Sequence, residues 1–481
     1  MYSKRIDMTI IDIMSLKSWD DRLTELKTDT ILDRKPVENR DYYNGKHPIL
    51  TDPDRQDFSV PTYAIDEETK LPKIVDGKNV VDGYKTVKRT RMVLNYARQI
   101  VETCKTMVLG EPVDLILTNA NKTPGMEESF SIFKQQWNKA HLDSFNLTMF
   151  ENLLIETKSA ELYYIEDADV NKDLKALLLS KQNGDDFWVH FDDNKRADAL
   201  TRIFTKRALV VGKADNVKVT QVWTANKLYE KIGEEVWTEK PNVYNKNVWV
   251  YYTQNESEFE TAKPIITRLE YSLSQLADVN KRIGNPGVVV KGNIGMLPDY
   301  DADVKIFNIT ADEEFDGKKT FGGVELLETS TAPESIKLEL EFDQDHLYKT
   351  TWGDLYQLYK GGDGGAISGT AIKLRFTAFK AKMVSKHAIL ENFNRRISVM
   401  KTILQVAKGG NFEELEISVK FNSILPENLT EITDMMSTAV NSGLTSKENA
   451  VGQLSYNENP ADVMAQIEEE QGIIDANTQT I

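Results

Sequence analysis

Residues 262–287 read AKPIITRLEYSLSQLADVNKRIGNPG, and the change of texture inside this stretch decides the architecture. Ala262, Ile265, Leu269, Leu273, Leu276, Val279 and Ile283 recur at helical spacing along one side, which predicts an amphipathic helix roughly 33 Å long. Gly284-Asn285-Pro286-Gly287 stops it, and Val288-Val289-Val290 opens a β-rich, acidic insertion that runs to Phe342. Ile336, Leu338, Leu340 and Phe342 close the insertion in strict alternation, the pattern of a strand. Helix resumes over 343–359, with Leu347, Leu355 and Leu358 on its buried side. Two helices thus flank a compact β module.

Downstream lies Lys360-Gly361-Gly362-Asp363-Gly364-Gly365-Ala366, the most glycine-dense stretch of the chain. So many glycines leave the backbone weakly constrained and predict a pliable loop. A long helix is expected from Ser368, a good N-cap, to Lys408, closed by Gly409-Gly410. Its apolar line is interleaved with Lys373, Arg375, Lys380, Lys382, Lys386, Arg395, Arg396 and Lys401. Leu415, Ile417, Val419 and Phe421 alternate as a strand, and Pro426 opens a C-terminal helical module whose last residues are acidic.

Upstream, residues 1–75 are polar and turn-rich and predict an arm of short helices. Val87 to Leu109 carries apolar residues at spacings of 3, 4 and 7 up to Gly110 and Pro112, a helix with Cys104 in its core face. Further helices are expected at Ser129–His141 and Leu147–Ser159. Between 160 and 255 the runs LYYIE, FWVHF, ALTRIF, ALVVG, VKVTQVW, KLYEKI and NVWVYY, broken by Asn, Gly and Asp, predict strands joined by tight turns.

The chain has 481 residues, 40% hydrophobic and 28% charged, so it can build a substantial core under a solvated surface. A single cysteine allows no internal disulfide and no thiolate metal cluster, which suits a reducing compartment. The first residues lack the apolar core and cleavage site of a signal peptide, and no apolar run approaches the roughly 20 residues that cross a bilayer. A formal net charge of −16 disfavours a general polyanion-binding surface, so any nucleic-acid contact must be local.

Motifs for catalysis are sparse. Gly317-Lys318-Lys319-Thr320 lacks the earlier glycine of a phosphate-binding loop. His47, His141, His190, His346 and His387 are scattered, so neither a metal nor a cofactor is expected. Asp185, Asp186, Asp192 and Asp193 bracket the FWVH run. They are either turn residues at strand ends or carboxylates that could hold Mg²⁺ in a nucleic-acid enzyme. Asp299, Asp301, Asp303, Asp312, Glu313 and Glu314 in the β module are either a solvated rim or a docking surface for a basic partner.

The order of these pieces resembles the portal proteins of tailed bacteriophages, in the branch found in long-tailed phages of Gram-positive hosts. The resemblance rests on Tyr42-Tyr43-Asn44-Gly45-Lys46-His47-Pro48-Ile49 and on Asn95-Tyr96-Ala97-Arg98-Gln99-Ile100-Val101 running on to Leu109-Gly110-Glu111-Pro112-Val113. Ser368-Gly369-Thr370-Ala371-Ile372-Lys373 adds to it. Met107-Val108 stand where the family often has an aromatic residue.

The resemblance implies an α+β portal fold and no enzymatic activity. It implies a wing (1–261, with 368–425), stem helices (262–284 and 343–359), a clip (285–342), a tunnel loop (360–367) and a crown (426–481). It further implies a homo-oligomeric ring of about twelve subunits at one capsid vertex, assembled in the bacterial cytoplasm and carried in the virion. Double-stranded DNA would pass through the ring. Terminase would dock on the clip acids Asp299, Asp301, Asp303, Asp312, Glu313 and Glu314, and head-completion proteins would replace it. Major capsid and scaffolding proteins are further implied partners. The channel candidates are Lys360, Gly361, Gly362, Asp363, Gly364 and Gly365 in the loop, Lys373 and Lys380 behind it, and Lys281 and Arg282 at the stem end. Alternatives are a virion adaptor or minor capsid protein without a DNA tunnel, and the metal-dependent enzyme above.

Overall fold

The computed structural model describes residues 8–27, 35–67, 73–76, 78–166, 171–210, 213–283, 288–291, 293–296, 308–310, 323–326, 333–351, 377–422, 429–452, 463–464 and 466–470. The expected helix at the centre of the sequence is present as Lys263–Ile283. Its most buried positions are Ile266, Leu269, Glu270 and Ser274, while Leu273, Leu276 and Val279 are only half-buried. The face turned inward is therefore partly polar, shifted from the apolar line that the sequence suggests.

Its neighbour is a second helix, Pro333–Thr350, which corrects the strand expected at Ile336–Phe342. Period-two alternation also arises on a helix with apolar side chains on two faces. Leu347 and Tyr348 are buried and Leu340 half-buried on the inner face, while Leu338 and Phe342 stand exposed on the outer one. Pro333 at the first turn, followed by Glu334, starts the helix and complements its dipole. The two helices are clamped by Arg268, which pairs with Glu339 at 2.8 Å and Asp343 at 3.0 Å. Between them lie two antiparallel pairs, Val288–Lys291 with Gly323–Leu326 and Asn293–Met296 with Asn308–Thr310. The insertion is β-rich, as expected.

The main core sits where the Leu142–Glu156 and Asn392–Lys408 helices cover a three-stranded sheet ordered Trp249–Thr253, Lys158–Ile165, Leu174–Leu179. The central strand is buried from Ser159 to Tyr163, including Glu161. Arg396 of the Asn392–Lys408 helix meets Glu161 there, its Nε at 3.0 Å from Oε2, with both side chains at 0% exposure. The Tyr163 hydroxyl donates to the same carboxylate at 2.9 Å. The Pro124–Lys139 and Leu142–Glu156 helices begin five residues earlier than expected, and the second yields to a strand at Lys158.

The strands Asp186–Phe191, Ala197–Val210, Lys213–Thr224, Lys227–Ile232 and Thr238–Pro241 form a five-stranded antiparallel meander. The arm helices Ile10–Ser15 and Trp19–Glu25 lie on it, with Ile13, Leu26, Trp188, Val222 and Tyr229 in a separate core. Asp114–Leu117 pairs with Ile417–Lys420 and ties the later part of the chain to the earlier.

Three further expectations are corrected. The helix from Val87 begins only at Tyr96, because residues 88–95 run extended against another element. The long helix is broken into Thr377–Ile389 and Asn392–Lys408. At the break, i to i−3 bonds from Glu391, Phe393 and Asn394 tighten the turn, and Leu390 and Phe393 both reach the core. Finally, Phe58–Tyr63 and Val81–Val87 form a hairpin where short helices alone were expected. No helix among the described residues is long and apolar enough to cross a membrane.

Candidate functional site

The Lys263–Ile283 helix carries Glu270, Ser274 and Asp278 at i, i+4 and i+8, hence on one side. The extended segment 88–95 runs antiparallel along that side. The Leu94 N–H donates to Glu270 Oε1 at 2.8 Å, Met92 N–H to Ser274 Oγ at 2.9 Å, and Thr90 N–H to Asp278 Oδ1 at 2.9 Å. Alternate residues of an extended chain advance about 6.7 Å, and four residues of helix about 6.0 Å. The two repeats nearly match, so helix side chains replace the partner strand that the segment's N–H groups would otherwise need. This is why the chain is extended here although its apolar spacing is helical.

The segment around Tyr42–Ile49 buttresses the same helix. Gly45, at φ +87°, turns the chain sharply out of the Pro36–Tyr43 helix, a conformation in which a side chain would be strained. His47 is thereby delivered into the core. Its ring stacks on Tyr42 at 4.0 Å, its Nε2 lies 3.0 Å from the Tyr42 carbonyl, and its Nδ1 meets Glu270. A carbonyl can only accept, so Nε2 carries the hydrogen given to Tyr42 and Nδ1 is the ring nitrogen that faces Glu270. Burial, reinforced by Glu270, pushes the Tyr42 hydroxyl far above its ordinary range. Arg55 closes the far end, donating to Asp278 Oδ2 at 2.7 Å and to the Thr90 carbonyl at 3.0 Å. Burial raises the Asp278 carboxyl, but the Thr90 and Arg55 contacts outweigh it, and the net shift is downward.

The ladder ends at a gathering of cations. Lys281 is exposed, with Nζ 3.4 Å from Thr90 Oγ1, and Arg282 follows it in the last turn of the helix. Lys88 and Arg89, both exposed, immediately precede Thr90. Lys281 and Arg282 were legible in the sequence. Lys88, Arg89 and the ladder were missed, and the signal that could have found the ladder is the polar series Glu270, Ser274, Asp278 on a face spaced for a core.

Lys380 lies exposed on the separate Thr377–Ile389 helix. On that helix, Lys382 donates to the Thr351 carbonyl at 2.5 Å and Lys386 pairs with Glu258. They line a cleft of about 320 Å³ with Ser257, Thr261, Thr350 and Ser385. The chain therefore leaves at Thr351 and returns at Thr377 from points linked through Lys382. Lys360, Gly361, Gly362, Asp363, Gly364, Gly365 and Lys373 lie outside the described residues, as do Asp299, Asp301, Asp303, Asp312, Glu313 and Glu314.

Of the four carboxylates that might have formed a metal site, Asp185, Asp186 and Asp192 are engaged separately and Asp193 is exposed. Asp185 is buried against Arg202 Nε at 2.7 Å, and burial pushes its carboxyl up despite that partner. Asp186 pairs with Lys181, and Asp192 accepts the Asn194 and Arg196 N–H groups in a turn. Among the described residues no three His, Cys, Asp or Glu side chains are grouped to hold a metal.

Compared with known families, residues 35–475 match the model described as phage portal protein, SPP1 Gp6-like. No curated protein matches the chain. Among solved structures, a chain from the "Neck of empty GTA particle computed with C6 symmetry" is similar at 9% identity, with a TM-score of 0.39, over 74% of this chain and 88% of that one.

Proposed function

The chain belongs to the SPP1 Gp6-like family of phage portal proteins, and from that premise we propose that about twelve copies close into a ring at one capsid vertex, around a channel for double-stranded DNA. The role is structural. The proposed stem is the pair of helices from Lys263 and from Pro333, the latter starting ten residues earlier than the sequence suggests. Residues 285–332 form the clip between them, 360–367 the tunnel loop, residues up to 261 with 368–425 the wing, and 426–481 the crown. Terminase docks on the clip acids during packaging and head-completion proteins take its place, while major capsid and scaffolding proteins surround the wing. The ring assembles in the host cytoplasm and remains in the virion.

The observation that carries the channel is Lys281 beside Thr90, with Lys88 and Arg89 next to it in the chain, on a subunit of net charge −16; the Arg89 guanidinium itself reaches the Asp54 carbonyl and lies over the Phe58 ring. A channel must confine the duplex without gripping it, because each phosphate contact that releases a counterion strengthens binding. An acidic wall repels the backbone, and symmetry turns one local cluster per copy into a thin positive belt. With Lys360 and Lys373 near the loop, such belts guide DNA while no single contact holds it.

Packaging assays test this. Lys281→Ala with Lys88→Ala, Lys373→Ala, and a Gly361→Pro/Gly362→Pro pair should each lower DNA uptake or retention while rings still form in negative stain. Wild-type uptake and retention by all three would refute the channel roles, and particles with no ring at a single vertex would refute the ring.

A further inference from the structure

The hairpin Phe58–Tyr63/Val81–Val87 and the smaller ribbon Ile74–Val75/Lys78–Asn79 beyond it carry large apolar side chains exposed to solvent. Tyr84 is 71% exposed, Ile74 64%, Ile65 63%, Val75 51%, Val81 46% and Tyr63 42%. They are concentrated in one short stretch, unlike the scattered apolar side chains of an ordinary surface. A two-stranded ribbon is marginal in water without a third layer. Here only Val60, Gly83 and Val87 of the two longer strands are even half-buried. The ribbon therefore wants a cover that the described residues of its own chain do not supply.

We infer that the cover is an adjacent copy of this chain, and that the ribbon is the lateral clamp between neighbours in the ring. This rests on the ring proposed above and names its contact. Charge argues for a second copy. Two chains of net charge −16 repel when brought side by side, so contact must fall where the acidic load is absent. The strands 58–63 and 81–87 hold one acid, Asp82, and one base, Lys85, and the described residues between them add Asp66, Glu67 and Asp76 against Lys73 and Lys78, so the patch is close to balanced where the chain as a whole is acidic.

Size agrees. Counted over both faces of the ribbon, six such side chains offer roughly 500 Å² from one copy, so a neighbour that wraps the ribbon rather than covering one face comes within reach of the ~800 Å² per partner of a stable contact. Pro61 keeps its strand from the centre of any sheet. The clamp is thus packing of side-chain faces. A projection on one flank that seats on a different surface of the next copy is a heterologous contact, the kind that closes rings of more than two.

The test uses the purified full-length chain. Mass is followed against concentration by light scattering, with rings counted in negative stain, for wild type, Tyr84→Glu and the milder Tyr84→Ser. In parallel, a benzophenone amino acid at position 84 is photolysed. The expected result is that both variants keep the wild-type circular dichroism, that half-assembly needs at least about tenfold more protein, and that photolysis joins chain to chain. Rings from both variants at the wild-type concentration, or photoproducts only within one chain, overturn the clamp and leave the ring standing. Wild type that stays a single chain at every concentration overturns the ring itself, and the clamp with it.

Discussion

Ser274→Ala tests the ladder that fixes the Lys263–Ile283 helix. Ser274 is fully buried and its hydroxyl accepts the Met92 N–H at 2.9 Å. Alanine removes one oxygen and leaves the helix propensity intact or improved. The net worth of a neutral hydrogen bond is about 1 kcal/mol, and a donor stranded without any partner costs up to about 3 kcal/mol. Because the Met92 side chain is itself exposed, water can reach its amide once the serine is gone, which selects the lower figure. At about 1.4 kcal/mol per factor of ten, protection of the Met92 amide should fall roughly fivefold. Leu94 and Thr90 keep their own acceptors, Glu270 and Asp278, and should change less. Hydrogen exchange read by mass spectrometry on overlapping peptides across 86–96 resolves this, with the buried Leu142–Glu156 helix as the unaffected reference. Unchanged exchange at Met92, or an equal rise in the reference helix, would refute the ladder as a local tie.

Two further outcomes follow from the buried charges. Arg396→Ala strands Glu161 at 0% exposure without its cation and should cost about 3–5 kcal/mol in urea denaturation. Arg396→Met combined with Glu161→Leu should recover a good part of that loss, and a double variant no more stable than the single would show that the pair is not the cause. Asp278 has a folded-state carboxyl held low, so its stabilisation is present above the ordinary carboxylate range and is lost as pH falls through the lowered value. The stability gap between wild type and Asp278→Asn should therefore be open at pH 6 and close below about pH 4. A gap that stays constant across that interval contradicts the assignment.

Where a segment buries one face within its own chain, its sequence was legible. The meander strands and the strand at 417–420 show their alternation, and the helix at 263–283 shows its period although its most buried face, with Glu270 and Ser274, is shifted from its apolar line. Pro333–Thr350 deceived because Leu338 and Phe342 lie opposite the face of Leu340 and Leu347, and two apolar faces on a helix mimic a strand. Residues 88–95 deceived differently: Leu94, Ala97 and Val101 share helical spacing, yet the amides at 90, 92 and 94 find acceptors on another helix. No local pattern records that, since its acceptors lie far along the chain. The same holds for the site. Lys281 was visible from its place at a helix end, whereas Lys88 and Arg89 become part of the cluster only through the Thr90 contact. The hairpin was missed because a ribbon exposed on both faces has no alternation to betray it.

The ladder and the cation cluster belong to one physical requirement. The Lys263–Ile283 helix is about 32 Å long and Lys281 lies about 25 Å from its first turn, so a tilt of about 10° there would swing Lys281 by roughly 4–5 Å. On the proposed ring that swing moves a cation toward or away from DNA by about half of the ~8–10 Å over which salt screens a charge. A belt built from many copies is uniform only if every copy holds the helix at one angle. Leu273, Leu276 and Val279 are only half-buried, and apolar contact is non-directional, so it sets the helix angle less sharply than hydrogen bonds do. Three directional hydrogen bonds spaced along the helix, with the His47–Glu270 contact near one end and Arg55–Asp278 near the other, resist such a tilt strongly. That accounts for polar residues on the most buried face of a helix in which apolar ones would pack as well: they fix an angle, and the angle sets where the charge stands.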